Sequence, residues 1–438
     1  MALLKSKDGT SFVIPFILIT SCFALWGFAN DITNPMVEAF SRIFRMSVTE
    51  GTLVQVAFYG GYFCMAFPAA IYIKRHSYKA GILIGLTLYA IGALLFFPAK
   101  MMGNFYPFLL AYFILTCGLS FLETSANPFI LSMGDEETST RRLNLAQSFN
   151  PLGSISGMFV AMFVIQANLN PMSSEERSVL SDDEFAALRD SDLSVLITPY
   201  LVIAAVIAAV FIVLHFTKIP NTQVKSQTVD DALLPSLKRL FANKKYMASV
   251  IAQFFYVGAQ IMCWTFIIQY GKHYFMADMP EAEAAQLAQQ YNIFAMASFI
   301  IFRFVCTLFM KYFTPARILL LFATVAFLLV CGVIGLSNGL GIYCLVLVSA
   351  CMSLMFPTIY GIGLQGIGRD AEYGAAGLIM SILGGSVLPP LQSMIIDAGG
   401  DDHILFGLPS VNVSFIIPLI CFAVISIYSY QMMTKYKE

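Results

Sequence analysis

Long apolar runs, each about the length that a bilayer core demands of a helix, recur along this chain and are parted by short polar stretches. Twelve such runs are predicted as helices, near 13–40, 52–73, 80–99, 105–133, 143–167, 198–217, 247–271, 284–310, 316–337, 341–366, 373–398 and 409–432. The longest interruption that reads as cytoplasmic, 218–246, divides them into six and six. The fold class expected is an all-α polytopic membrane protein with two six-helix bundles. The first bundle is read over 1–217, a linker over 218–246 and the second bundle over 247–438. Within the linker, Leu233, Leu234, Leu237, Leu240 and Phe241 fall at helical spacing beside Lys238, Arg239, Lys244 and Lys245. That pattern predicts an amphipathic helix on the inner membrane surface.

Composition agrees with the pattern. The chain is 58% hydrophobic and 12% charged, where a soluble domain carries about a quarter charged residues. Lys and Arg are distributed unevenly between the two sets of loops. Arg42, Arg45, Lys100, Arg177, Arg189 and Lys272 fall on one side, Arg303 falls inside a span, and the rest of the 25 fall on the other side. The richer side is read as cytoplasmic, which puts both termini there. The first span is too long for a signal-peptide core and is expected to be retained.

Charge and chemistry then exclude several classes. No basic patch interleaved with aromatics is present, so nucleic acid is not an expected partner. All nine cysteines lie in apolar spans without metal-ligand spacing, and the four histidines are scattered, so neither a metal nor another cofactor is expected. No Gly-x-x-x-x-Gly-Lys loop is present to cradle ATP. The outside loop 168–197 is acidic and is read as a solvated face. Ser173 with Glu176 and Ser181 with Glu184 fit capping boxes there, predicting short surface helices.

The polar residues inside the apolar runs carry the functional reading. Glu123 lies well inside the run 105–133, with Asn127 and Pro128 about one turn away. A carboxylate at that depth is costly and marks a proton or ion pathway, or else a hydrogen bond to a neighbouring helix. In the first run Asn30, Asp31 and Asn34 share one face. With the N-terminus inside, Asp31 falls ~7 Å outward of the midplane and Glu123 ~7 Å inward. No lysine lies at depth to neutralise either. In the fifth run Asn144, Gln147 and Asn150 or Ser148 share a face; amides bring donors and acceptors without charge, which suits sugar hydroxyls. Interhelical hydrogen bonding is the structural alternative.

The second half echoes the first. Trp26 and Trp264 hold the same ordinal place in each half, and proline or glycine interrupts the fourth, fifth, tenth and eleventh runs. Paired interruptions of this kind belong to transporters with a site between repeats. Gln253, Tyr256, Gln260, Trp264 and Gln269 give the seventh run a polar and aromatic stripe. Arg303, deep in the eighth run, is read as a structural group that pairs with a carboxylate or snorkels inward, ahead of the alternative of a substrate contact.

Tyr59-Gly60-Gly61-Tyr62-Phe63, Ser77-Tyr78-Lys79-Ala80-Gly81, Leu122-Glu123-Thr124-Ser125-Ala126-Asn127-Pro128-Phe129, the stretch 142–150 and Gln253-Phe254-Phe255-Tyr256-Val257-Gly258-Ala259-Gln260 carry a resemblance. With these motifs the chain resembles the major facilitator superfamily, and within it the fucose:proton symporters of bacterial sugar permeases. The resemblance implies the major facilitator fold, alternating access, a central sugar site, Glu123 as a proton-coupling carboxylate, and Gln147 and Asn150 as sugar contacts. It also implies an outer acidic group at the Asn34 position, where Asp31, one turn earlier, is read as taking over. An aromatic hydroxyl of the family's tenth helix stands here as Phe356.

Taken together, the sequence reads as a proton-coupled symporter for a neutral monosaccharide, L-fucose or a related hexose, in a bacterial inner membrane. It is expected to act as a monomer and not as an enzyme. Glu123 and Asp31 are the expected proton-coupling groups. Asn30, Asn34, Gln147, Asn150, Gln260 and Trp264 are the expected sugar contacts. A non-transporting sugar sensor would want long soluble signalling domains, and a drug/proton antiporter would want an aromatic cavity in place of clustered amides.

Overall fold

The computed structural model describes residues 12–33, 36–46, 48–51, 53–170, 172, 174–218, 233–336, 339–399 and 404–435. Among them are twelve helices long and apolar enough to cross a membrane. They are α1 (Val13–Thr33), α2 (Leu53–Arg75), α3 (Tyr78–Met102), α4 (Tyr106–Ser132), α5 (Glu136–Ile165), α6 (Asp182–Phe216), α7 (Lys244–Phe275), α8 (Leu287–Phe309), α9 (Pro315–Gly335), α10 (Gly341–Leu364), α11 (Gly368–Asp397) and α12 (Ser410–Lys435). Each answers to one apolar run of the sequence. The protein is a multi-pass α-helical membrane protein.

By its contacts the chain divides into two units. One comprises 1–135 and 149–226, the other 136–148 and 227–438. The cut falls inside α5. Its stretch Ser139–Gln147 groups with the second unit and its stretch Asn150–Phe159 with the first, whereas the pattern of apolar runs keeps 1–217 together.

In the first unit, the run expected as one helix over 13–40 is described as helix over Val13–Thr33 and again over Met36–Ile43. Asp31 stands in the last described turn of α1. Asn34 lies outside the described residues. The sixth helix begins at Asp182, not near 198, because Ser181 and Glu184 form a reciprocal capping box and three acidic residues in the first turn complement the helix dipole. Ser173, of the other expected box, lies outside the described residues. The acidic loop is also more than a solvated face. Asp192 is buried, pairs with buried Arg177 at 2.7 Å and accepts the Asn170 N–H at 2.9 Å.

In the second unit the linker helix is Leu233–Ala242. Leu234 and Phe241 are exposed, while Ser236 and Leu240 are buried, as an amphipathic helix requires. Arg239 fastens it by donating through Nε and Nη2 to the two carboxylate oxygens of Asp370, at 2.8 and 2.7 Å. The Asn243 side chain then accepts the Tyr246 N–H and caps the start of α7. α10 loses its helical form at 353–354, just before Pro357, and α11 tightens to a 3-10 turn at Ser381–Leu383. A two-strand hairpin, Ile404–Leu405 with Leu408–Pro409, precedes α12.

Candidate transport site

Glu123 is held on α4 with 4% of its surface exposed. Its neighbours on the same helix, Ser120, Thr124, Ser125 and Asn127, are buried as well, so a polar band crosses an otherwise apolar span. Tyr62 of α2 donates its hydroxyl to Oε1 of Glu123 at 2.9 Å, and Ser120 donates back to the Tyr62 carbonyl at 3.2 Å. Among the described residues no Lys, Arg or His forms an ion pair with Glu123 or with Asp31. A buried carboxylate with one phenol donor and no cation is poorly compensated when ionised. It becomes inexpensive to keep buried once it holds a proton.

The motif Tyr59-Gly60-Gly61-Tyr62 carries the resemblance without giving Tyr62 a role. The signal for that role is its neighbour. A Cβ at Gly61 would lie 2.0 Å from Thr116 Oγ1 and 2.8 Å from the Phe113 carbonyl, both of α4. Only glycine lets the two helices approach closely enough for Tyr62 to reach Glu123. Tyr59, one turn earlier on α2, is an electrostatic neighbour of Asp31.

Asp31 is half-buried and Asn30 exposed. The Ser154 hydroxyl of α5 lies beside the Asp31 carboxylate. The close approach of α1 and α5 depends on Gly153, where a Cβ would lie 1.8 Å from the Ala24 carbonyl oxygen. Asn150, on the same stretch, donates through Nδ2 to the Phe23 carbonyl at 3.1 Å. One of its two amide donors is therefore engaged in holding α1 to α5, as the structural alternative predicts.

In the second unit Gln147 is buried at the end of its stretch of α5, and its backbone carbonyl accepts Nη1 of Arg303 at 2.8 Å. Arg303 has no carboxylate partner among the described residues and is 4% exposed. Contrary to the expectation from sequence, it neither pairs with an acid nor snorkels. Asn144 donates to the Thr140 carbonyl at 3.0 Å and to Thr358 Oγ1 of α10 at 3.3 Å. Gln260 and Trp264 are half-buried and one turn apart on α7. Trp264 is fixed by its Nε1–H bond to Ser349 Oγ at 2.9 Å and by an edge contact with Phe299, with ring centroids 5.0 Å apart. Phe356 stacks on Tyr360, one turn further along α10, at 6.2 Å, so a phenol stands next to the position that lacks one. The structure therefore places Glu123, Asp31, Asn30 and Asn150 in the first unit, and Gln147, Gln260 and Trp264 in the second.

Comparison with known proteins follows the same lines. Residues 19–390 match the family model of the Major Facilitator Superfamily. The chain is 51% identical over 428 residues to an L-fucose-proton symporter of Haemophilus influenzae, covering 96% of each chain. It is 36% identical over 422 residues to the L-fucose-proton symporter of Escherichia coli K12, covering 96% of this chain and 93% of that one. Its fold is similar to the crystal structure of the transporter FucP in the outward conformation, with a TM-score of 0.85, 35% identity, and coverage of 96% of this chain and 98% of that one. The chain belongs to the Major Facilitator Superfamily and, within it, to the family of the fucose:proton symporters.

Proposed function

We propose that this protein is a proton-coupled symporter that imports a neutral monosaccharide, L-fucose foremost, by alternating access. The observation that carries the reading is Glu123. It is a carboxylate inside a membrane span, 4% exposed, with Tyr62 as donor and no cation paired to it among the described residues. Such a group costs little when protonated and much when ionised away from water. Its protonation state can therefore govern which side the site opens to.

The proton enters by way of Asp31, which is half-buried at the end of α1, and is carried by Glu123. Asn30, Asn34, Gln147, Asn150 and Gln260 hold the sugar hydroxyls, and Trp264 presents its ring to the apolar face of the sugar. Asn150 retains one amide hydrogen and its carbonyl oxygen for this purpose. The protein works as a monomer in the bacterial inner membrane. Lys and Arg favour the loops that share a side with both termini, so both termini are cytoplasmic.

Uptake by the purified protein in proteoliposomes tests the reading. With a panel of neutral sugars, an inwardly directed proton gradient should drive accumulation of L-fucose above the other hexoses, and sugar entry should acidify the lumen. Uptake that requires sodium and moves no protons would overturn it.

A further inference from the structure

Arg303 is a buried cation in the interior of α8 whose acceptors are backbone carbonyls. Its Nε donates to the Ser353 carbonyl and its Nη1 to the Gln147 carbonyl. These two oxygens share a feature. In an α-helix the carbonyl of residue i accepts the N–H of residue i+4. Four residues after Gln147 stands Pro151, and four residues after Ser353 stands Pro357. Proline has no N–H to give. Each carbonyl has thus lost its own helical donor, and each helix loses its regular form there, α5 at 148–149 and α10 at 353–354.

One guanidinium replaces both missing donors. Its planar fork offers several N–H groups at fixed angles, which suits two acceptors on separate helices, whereas an ammonium is a compact point charge. The ring of Phe299, one turn earlier on α8, lies 4.7 Å from the guanidinium carbon and favours a cation there. The Asn144 bond to Thr358 runs between the same two stretches, so the junction is held at two levels.

We propose that Arg303 is a positioning residue of the sugar site, which sets the backbone at Gln147 and at the break before Phe356 by capping the two proline-opened carbonyls. The inference rests on the reading of Gln147 as a sugar contact. Arg303 itself touches no sugar; it fixes the direction in which the amide at 147 is presented.

Substitution of the arginine and of the prolines together separates this role from others. L-Fucose affinity and thermal midpoint are measured on the purified full-length protein. Arg303→Gln and Arg303→Lys should each weaken L-fucose binding about tenfold, the scale of one charge-assisted hydrogen bond. Pro151→Ala restores an N–H that can reach the Gln147 carbonyl. In the Arg303→Gln background it should recover most of the lost affinity and midpoint, while in the parent it should change affinity little. Pro357→Ala in the same background should recover midpoint more than affinity. Parent-like affinity in Arg303→Lys would show that charge alone suffices and would overturn the proposal. So would a double variant no better than Arg303→Gln, or one that regains midpoint without affinity. If the parent protein bound no L-fucose, the symport reading would fail, and recovery of the midpoint by Pro151→Ala would still decide whether Arg303 caps these carbonyls.

Discussion

At the scale of single residues, the pair of Tyr62 and Glu123 makes the sharpest claim. Glu123→Gln keeps the shape of the side chain and an oxygen able to accept from Tyr62, but it cannot take up or release a proton. Sugar exchange across the membrane should persist while accumulation against a gradient is lost. Tyr62→Phe removes the donor and leaves the carboxylate buried without its 2.9 Å bond. Proton-driven uptake should fall about tenfold or more, since a hydrogen bond to a charged group is worth roughly 1.5–3 kcal/mol. Both residues act through one bond, so adding Tyr62→Phe to Glu123→Gln should cost little more than Glu123→Gln alone. Additive losses, measured as initial rates of uptake and of exchange, would mean that Tyr62 does something other than serve Glu123. Depth within an apolar run marks Glu123 in the sequence, but nothing there marks its donor. Sixty-one positions separate the two in the chain, and periodicity within one helix carries no information about which helix lies opposite. Arg303 is legible as an anomaly but not as to its partners, because sequence patterns display side chains, whereas its partners are carbonyls of the main chain.

At the scale of elements, the twelve spans are legible because each is a long apolar run, and hydropathy marks such runs well. The breaks within them are less so. The run 341–366 reads as one helix by composition, yet α10 loses its helical form at 353–354. The reverse holds at 168–197, where polar residues suggest a loop and the capping box at Ser181 instead starts α6. Gln147 and Asn150 stand three positions apart and read as one face, yet the turn at 148–149 separates them. That turn hands one to each unit. Helix-to-helix distance, by contrast, can be read from glycines once a structure shows what they face. Gly153→Ala puts a methyl group where the Ala24 carbonyl oxygen stands, 1.8 Å away and with backbone on the other side. We expect α1 and α5 to be forced apart and stability to drop by about 1–3 kcal/mol or more, seen as a lower thermal midpoint and lost L-fucose uptake. Gly335, in α9, has nothing within 4 Å of where a Cβ would stand, so Gly335→Ala should leave both measurements at the parent value. Equal effects from the two substitutions would show that glycine acts here through helix propensity rather than through close approach.

At the scale of the whole molecule, the question is what crosses the membrane in each cycle. In the proposed cycle the sugar is neutral and Glu123 alternates between a neutral and a charged state; no basic residue is paired to it among the described residues. If one proton travels with each sugar, one net positive charge moves inward per turnover. Transport must then respond to membrane potential even where no pH difference exists. One elementary charge moved through 100 mV is worth about 2.3 kcal/mol, which at 1.4 kcal/mol per decade corresponds to about fifty-fold accumulation of sugar. An interior-negative potential imposed by a potassium gradient, at equal pH on both sides, should therefore drive L-fucose to about that ratio. A second proton per cycle, carried on Asp31 as well, would square the ratio to about 2,500-fold, so the limiting accumulation counts the protons. Glu123→Gln should abolish the response, because exchange of a neutral sugar by a carrier that binds no proton moves no charge. Accumulation that ignores the potential while following the pH gradient would require a compensating ion, and would remove the uncompensated carboxylate from its place at the centre of the mechanism.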